Sequence, residues 1–388
     1  MTPATAFLML VLSTAACGSD AVAPEVTSLE ILPSAGLVVG SGRESFNVIA
    51  RGPSGSIDPE GVRWSIEDPS IASVAGDGDV SAVNAGTTRV IAELGGVTAT
   101  ATVEVYVPPS VPSYDVGVSY FGRNDYIEYI PGELPVVLSS GHDGTLAPSE
   151  MANRQFGQVV RDRNTLPLTL AVRDALIDLT GYAPYVVLSH VERRKLDVNR
   201  EIGEAAEADP FAERAWTEYH QFIDRARAEI RVRGEGMYLD MHGHGHPIAR
   251  LELGYLLGPD WLNLADIYLD QLTVVQRTSI REIGRDSPMP FSQVLRGPLS
   301  FGGLLEAEGI PAIPSPASPM IGEDPYFTGG YSTRRHGSFR DAELVSGIQI
   351  EHHYEGIRDT DENRRAYAAI LARVLRDYML EHIGYFEP

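Results

Sequence analysis

The sequence predicts two unlike halves: an all-β sandwich followed by an α/β domain with a mixed central sheet. Three observations carry this. Between Val26 and Val107, short runs rich in Val, Ile and Thr alternate with Gly, Pro, Ser and Asp turns. From about Val116, apolar β-like runs instead alternate with stretches of helical periodicity. The proline-rich stretch Pro108–Asp115 (PPSVPSYD) separates the two as a stiff linker.

In the first half the strand candidates are LEILP, SFNVIARG, VRWSIED, IASVAG, TRVIAEL and TATATVEVYV. The last strictly alternates apolar and polar residues, as a half-buried strand requires. In the second half the buried-strand candidates are LPVVLSS (from Leu134), APYVVLS (from Ala183), GMYLDM (from Gly236), RLELGYLL (from Arg250) and SGIQIE (from Ser346). Helices fall between them. One begins near Asn164 and Thr165, with Pro167 in its first turn and Gly181 as its stop. It aligns Leu168, Val172, Leu176 and Leu179 on one face. A second, charged helix spans Phe211 to Arg231. A third runs from about Asp361 to Glu381, with Tyr367, Ile370, Leu371, Val374 and Tyr378 inward.

The 388-residue chain has a formal net charge of −22, which argues against a nucleic-acid partner because phosphate backbones demand a basic face. Lys195 is the one lysine, so almost all positive charge is arginine. With one cysteine, Cys17, no intrachain disulfide can form. MTPATAFLMLVLSTAACGSD is an apolar run too short to span a bilayer, followed by small residues and Cys. It resembles a bacterial lipoprotein signal over residues 1–17, with Thr14-Ala15-Ala16-Cys17 as the lipobox; an ordinary secretory signal is the simpler reading. The expectation is an exported protein of the cell envelope, lipidated at Cys17 and so anchored to a membrane rather than spanning it.

The polar residues most capable of chemistry fall at strand ends. His142 follows LPVVLSSG, His242 follows MYLDM, and Glu351 ends SGIQI. In open α/β sheets ligands bind at the carboxyl edge. Taken singly, each residue is an ordinary solvated loop side chain; together they form a constellation if their strands are neighbours. GMYLDMHGHGHPIA places three of the ten histidines, His242, His244 and His246, at alternate positions. His242 is the candidate zinc ligand. Asp240, two residues earlier on the same strand face, would orient an imidazole, with His244 nearby and His246 structural. VERRKLDVNRE offers Arg193, Asn199 and Arg200 to a carboxylate substrate, and FTGGYSTRRHGS offers Arg334 and Arg335 on a glycine-hinged loop.

Two resemblances follow from these residues. The segment 25–107, through VRWSIEDPSIASVAGDGDVSAVNAGTTRVIAELGGVTATATVEV, resembles bacterial Ig-like domains of group 2, which implies a spacer or adhesion module meeting a cell-surface polymer or protein. Residues 116–388 carry, in order, GHDGTLAP, the D-x-x-T of Asp162 and Thr165, RRKLDVNR, YLDMHGHG, ELGY at Glu252, FTGGYSTRRHG and GIQIE. This set resembles the N-formylglutamate amidohydrolase family, whose fold is similar to that of zinc carboxypeptidases. The resemblance implies Zn2+ held by His142 and His242. Thr145 stands where the related carboxypeptidases place a third ligand, so Asp162 and Asp143 are both candidates, Asp162 being preferred because an Asp recurs there in the family. It further implies Glu351 as the catalytic glutamate, with Arg193, Asn199 and Arg200 holding an acidic N-acyl amino acid or peptide-like substrate, and Arg193 or Arg334–Arg335 stabilising an oxyanion. The expected activity is hydrolysis of an amide C–N bond. A zinc carboxypeptidase and a non-catalytic surface adhesion protein are the alternatives.

Overall fold

The computed structural model describes residues 25–39, 42–53, 55–106, 114–340 and 343–385. The segment expected to be a signal, with Cys17, and residues 108–113 of the proline linker lie outside the described residues. The first half is all-β, as expected. Its strands form three small antiparallel or mixed sheets: Ser28–Leu32 with Asn47–Gly52 and Gly55–Ile57; Ala35–Val39 with Val97–Tyr106, Gly86–Leu94 and Arg63–Ile66; and Arg43–Ser45 with Asp79–Ala82 and Ala72–Val74. The alternation read from the sequence is realised in the long last strand. Ala101, Val103 and Val105 point into a core with Ile31, Val38, Phe46, Val80 and Val90, while Thr102 and Glu104 face solvent.

The second half is a three-layer α/β domain on an eight-stranded mixed sheet. Its strands are β1 (Tyr120–Phe121), β2 (Ile127–Ile130), β3 (Val136–Ser140), β4 (Tyr185–Ser189), β5 (Gly236–Gly243), β6 (Leu251–Gly254), β7 (Ala312–Ile313) and β8 (Val345–His352). Their order is β1-β2-β4-β3-β5-β8-β6-β7. The central four, β4-β3-β5-β8, are parallel, and antiparallel pairs flank them at β2/β4 and β8/β6. Central parallel strands covered on both faces read as continuous apolar runs, and every residue of β3, β4 and β8 is buried.

Helices α1 (Thr165–Thr180) and α4 (Asp361–Ile383) share one core with one face of the sheet. Leu168, Val172 and Leu176 meet Tyr367, Leu371 and Tyr378 there. Leu179 was expected inward but is 37% exposed, in the last turn of α1 before its Gly181 stop. Helix α2 (Pro210–Arg231) covers the other face through Trp216, Tyr219 and Ile223. No helix among the described residues is long and apolar enough to cross a membrane.

The two halves meet through charge. Helix α3 (Tyr331–His336) presents Arg335 to Glu44 at 3.5 Å and to Asp224 of α2 at 3.1 Å. Arg340 donates to Ser45 and Asp79 at 2.6 Å each, and Arg43 lies 3.5 Å from Glu343. Glu44 is only 4% exposed. Burial pushes its carboxyl up from 4.5 to about 7, although Arg335 pulls the other way. A carboxyl raised on folding contributes stability that is present at acid pH and lost as pH rises from the unfolded to the folded value. Glu44→Gln is therefore expected to lose less stability than the parent between pH 4.5 and 7, by at most about 3 kcal/mol, in urea unfolding followed across that range. Parallel stability curves would mean that Glu44 is not enclosed at the junction.

Candidate metal centre

Strand order decides where the candidate residues meet. β3, β5 and β8 are immediate neighbours, and the chain reverses its direction of winding between β3 and β5. At such a switch point the loops leaving adjacent parallel strands diverge and leave a crevice. His142 follows β3, His242 lies near the end of β5, and Glu351 is the direct cross-strand partner of His242 on β8. The convergence expected of the three strand ends is therefore met.

The imidazoles of His142 and His242 stand 4.7 Å apart, centroid to centroid. Nδ1 of each faces the same oxygen, Asp162 Oδ2, at 3.2 and 3.1 Å. Nε2 of each faces a different buried carboxylate: Asp197 Oδ1 at 2.7 Å for His142 and Asp240 Oδ2 at 3.0 Å for His242. Asp240 thus stands against the His242 imidazole, with its other oxygen accepting from Ser139 at 2.9 Å. With Nε2 turned to Asp197 and Asp240, the Nδ1 atoms of both rings face Asp162 Oδ2, so each offers a ligand atom to a metal once its proton is lost. Three ligand atoms, one each from His142, Asp162 and His242, lie within 4.8 Å of one another. Tetrahedral ligands at zinc distances stand about 3.3 Å apart, so the donor set fits the ion.

Asp162 and not Asp143 joins the two histidines. Asp143 is committed elsewhere: one oxygen accepts from the Leu166 N–H in the first turn of α1 at 3.0 Å, and the other faces Arg161 at 3.1 Å. Asp162 is tied to the His142 segment by its backbone N–H, which donates to the His142 carbonyl at 3.1 Å. Its own carbonyl accepts from Thr165 Oγ1 at 2.9 Å.

The charges settle each other. Burial alone would raise the Asp162 carboxyl, yet His142 and His242 hold it far below the usual range. Asp197 is likewise raised by burial but held low by His142, Arg193 and Arg154. Burial lowers the His242 imidazole, but Asp240, Asp162 and Glu351 together raise it well above its ordinary value. Glu351 behaves in the opposite way. Burial dominates and, with His242 opposing and Asp162 and Glu252 assisting, pushes its carboxyl up to about 8. Gln349, two residues earlier on the same face of β8, donates to Glu351 Oε1 at 2.9 Å.

Other candidates take roles different from those expected. Arg193 bridges the two aspartates around His142, reaching Asp197 Oδ2 at 3.1 Å and Asp162 Oδ1 at 3.3 Å. It also borders an open concavity of about 400 Å3 lined by Val159, Val160, Arg161, Arg163, Arg194 and Glu192, the last paired with Arg194. Asn199 does reach the centre, with Nδ2 3.4 Å from His242 Nε2, but its Oδ1 accepts from the Ser332 N–H at 2.8 Å. It anchors the Gly329–Gly330 loop. A side chain at Gly330 would push on it, a Cβ there lying 2.3 Å from Asn199 Nδ2, so the Asn199 amide would have to shift. Arg200 turns away, pairing with Glu204 at 3.1 Å. Arg334, in the last turn of α3, is exposed and stacks over Phe339, while Arg335 is buried at the domain junction between Glu44 and Asp224, so both are engaged away from His142 and His242.

His244 does not orient either candidate ligand. Its Nε2 bonds to the Arg250 carbonyl at 2.8 Å and its Nδ1 accepts from the His246 N–H at 3.1 Å. His246 lies 2.8 Å from Glu252 Oε1 and stacks on Phe327, while Glu252 Oε2 accepts from the Phe327 N–H. His244, His246 and Glu252 also form a group with metal-ligand spacing. His244 Nδ1 and both Glu252 oxygens, however, already accept from protein groups, as in a structural clasp on the loop that carries Phe327.

Sequence reasoning left Asp197 and Gln349 without roles. Asp197 sits inside the D-x-N-R cluster, and strand alternation places Gln349 on the face of Glu351, so both were within its reach.

Residues 25–105 match the family of bacterial Ig-like domains, group 2. No curated protein matches the chain. Among solved structures, a gene product from Agrobacterium tumefaciens aligns over 66% of this chain and 94% of its own, at 12% identity and a TM-score of 0.39. Domains 4 and 5 of the S-layer protein SbsC align over 21% of this chain and 53% of theirs, at 17% identity and a TM-score of 0.20. An EHEC intimin mutant aligns over 25% and 54%, at 20% identity and a TM-score of 0.16.

Removing the orienting carboxylates is expected to weaken a metal without removing a ligand. Asp197→Asn and Asp240→Asn should bind cobalt(II) about 10- to 100-fold more weakly than the parent in calorimetric titration, with His246→Ala unchanged. Equal affinities throughout would disconnect these carboxylates from the centre.

Proposed function

We propose that the chain is a zinc-dependent amidohydrolase that cleaves the C–N bond of an N-acyl amino acid or a peptide-like substrate. One observation carries the reading. Two imidazoles with oppositely anchored Nε2 atoms turn their Nδ1 atoms onto one carboxylate oxygen, and a buried glutamate lies in cross-strand register with the second imidazole.

His142, His242 and Asp162 would hold the ion, which when bound supplies Lewis acidity to a carbonyl and to water. Glu351 then takes the proton of the attacking water and delivers it to the departing amine. A carboxyl pushed up to about 8 suits this double duty, since it exchanges protons readily near neutral pH. The arginines around the concavity beside Arg193 favour an anionic substrate. Arg193, beside the centre, would stabilise an oxyanion; Arg334, facing solvent, is left out of this role. Lipidation at Cys17 would place the activity at the cell envelope, where the Ig-like domain serves as a contact module. The substrate would then be an extracytoplasmic peptide, cell-wall fragment or N-acyl amino acid rather than a cytoplasmic metabolite.

Metal analysis of the untagged chain from Ser19 to Pro388 is expected to find about one zinc per chain, lost in His242→Ala. Glu351→Gln should retain the zinc while turnover of N-formyl and N-acyl amino acids or short peptides falls by about 10²- to 10⁴-fold or more. Activity retained in Glu351→Gln, or a parent that takes up no zinc, sinks the reading.

A further inference from the structure

We infer that Arg358 is a positioning residue whose single guanidinium holds in register the three chain segments that bear Asp162, His242 and Glu351. This rests on the metal-centre reading above. Arg358 lies in the turn that follows β8, and it is 5% exposed. Its three nitrogens donate to three backbone carbonyls on three separate segments. Nε reaches His352 at 3.1 Å, Nη2 reaches His244 at 3.1 Å, and Nη1 reaches Arg163. Each acceptor is one or two residues from a functional side chain: His352 from Glu351, His244 from His242, and Arg163 from Asp162.

The neighbourhood is shaped for this group. A Cβ added at Gly243 would lie 2.5 Å from Arg358 Cζ, so the guanidinium packs flat against a backbone that has no side chain there. The N–H of that same Gly243 lies 3.3 Å from Asp162 Oδ2. The Arg358 carbonyl accepts from Asn164 Nδ2 at 2.8 Å, which closes the loop back to the start of α1. Tyr354 covers the other side, with its ring centroid 5.1 Å from Cζ. A planar fork can satisfy three in-plane acceptors at once; a lysine ammonium is a compact point donor and cannot span them.

The physical consequence is specific. His242 and Glu351 are fixed to each other by the β5–β8 ladder, but Asp162 belongs to an irregular segment outside the sheet. Apart from side-chain contacts at the centre itself, its segment is held by the His142 carbonyl, by Thr165 at the start of α1, by Arg193 on the Val160 carbonyl and by Arg358, and of these only Arg358 also reaches the segments of His242 and Glu351. Small misplacements of a ligand weaken a metal site disproportionately, and outer partners of metal ligands typically contribute about 10- to 100-fold in affinity.

The test uses the full chain and cobalt(II) as the probe. Arg358→Met removes the fork, Arg358→Lys keeps the charge without it, and Gly243→Ala displaces the guanidinium while leaving it in place chemically. Expected are cobalt(II) affinities about 10- to 100-fold weaker in Arg358→Met and Gly243→Ala, with an altered visible spectrum at saturation and little rescue by Arg358→Lys. Hydrogen exchange, read without metal, should quicken together in segments 161–164 and 243–246. A purely local anchor would instead loosen only 352–358 and leave the cobalt spectrum as in the parent, and that result overturns the inference. A parent that binds no cobalt(II) would count against the metal centre itself, while the exchange pattern would still decide for or against Arg358. If Arg358→Met fails to fold, Gly243→Ala and Arg358→Lys carry the same comparison.

Discussion

One carboxylate oxygen, Asp162 Oδ2, stands between two imidazole nitrogens at 3.1 and 3.2 Å, and much of the α/β domain is arranged around that contact. Burying several charges so close together is costly unless each is paired and hydrogen-bonded. Here the pairing is nearly complete. Asp197 takes His142, Arg193 and the Asn199 N–H; Asp240 takes His242 and Ser139; Arg193 ties Asp197 to Asp162. The histidines are left with one orientation each, and the same ring atom of both points inward. A cation bound there would replace protons, so its binding is linked to pH.

The parallel core of the sheet makes this arrangement possible. Because β3, β5 and β8 run side by side in one direction, their carboxyl ends open on a common edge. Antiparallel β6 begins at that same edge and delivers Glu252 opposite Glu351. Glu252 then holds the backbone of Phe327, and Gln349 accepts from the Gly330 N–H at 2.8 Å. The glycine loop is thus fastened to the floor of the site at two points rather than left free to close.

Beyond the loop, α3 leads to the junction between the two halves. All but one of the chain's 31 basic side chains are arginine, and the junction uses them as forks that bridge two carboxylates at once. Arg335 joins Glu44 of the Ig-like half to Asp224 of α2, and Glu343 gathers Arg43 and Arg227. A module read from its strands as a spacer therefore shares a buried ionic interface with the domain that carries the centre, next to the helix that follows the loop.

By itself the sequence determined which segments become strands and helices and which residues stand at strand ends. Those depend on period-two and period-3.6 apolar spacing, on glycine stops and on residue type, all of which are local. Thus Val136–Ser140, Tyr185–Ser189 and Gly236–Gly243 were legible, and with them His142, His242 and Glu351. Asp240 was legible too, because alternation along one strand puts it on the face of His242. Strand order was not legible, since pairing is a non-local choice among strands of similar apolar character, and only that order brings the three ends together. The tertiary structure also decided between Asp162 and Asp143 by giving Asp143 to the end of α1. It gave Arg335 to Glu44 and Asp224 at the junction, left Arg334 exposed over Phe339, and left Leu179 37% exposed at the end of α1. Arg358 had no sequence signal at all, because its partners are backbone carbonyls, which every residue possesses and only folding can place.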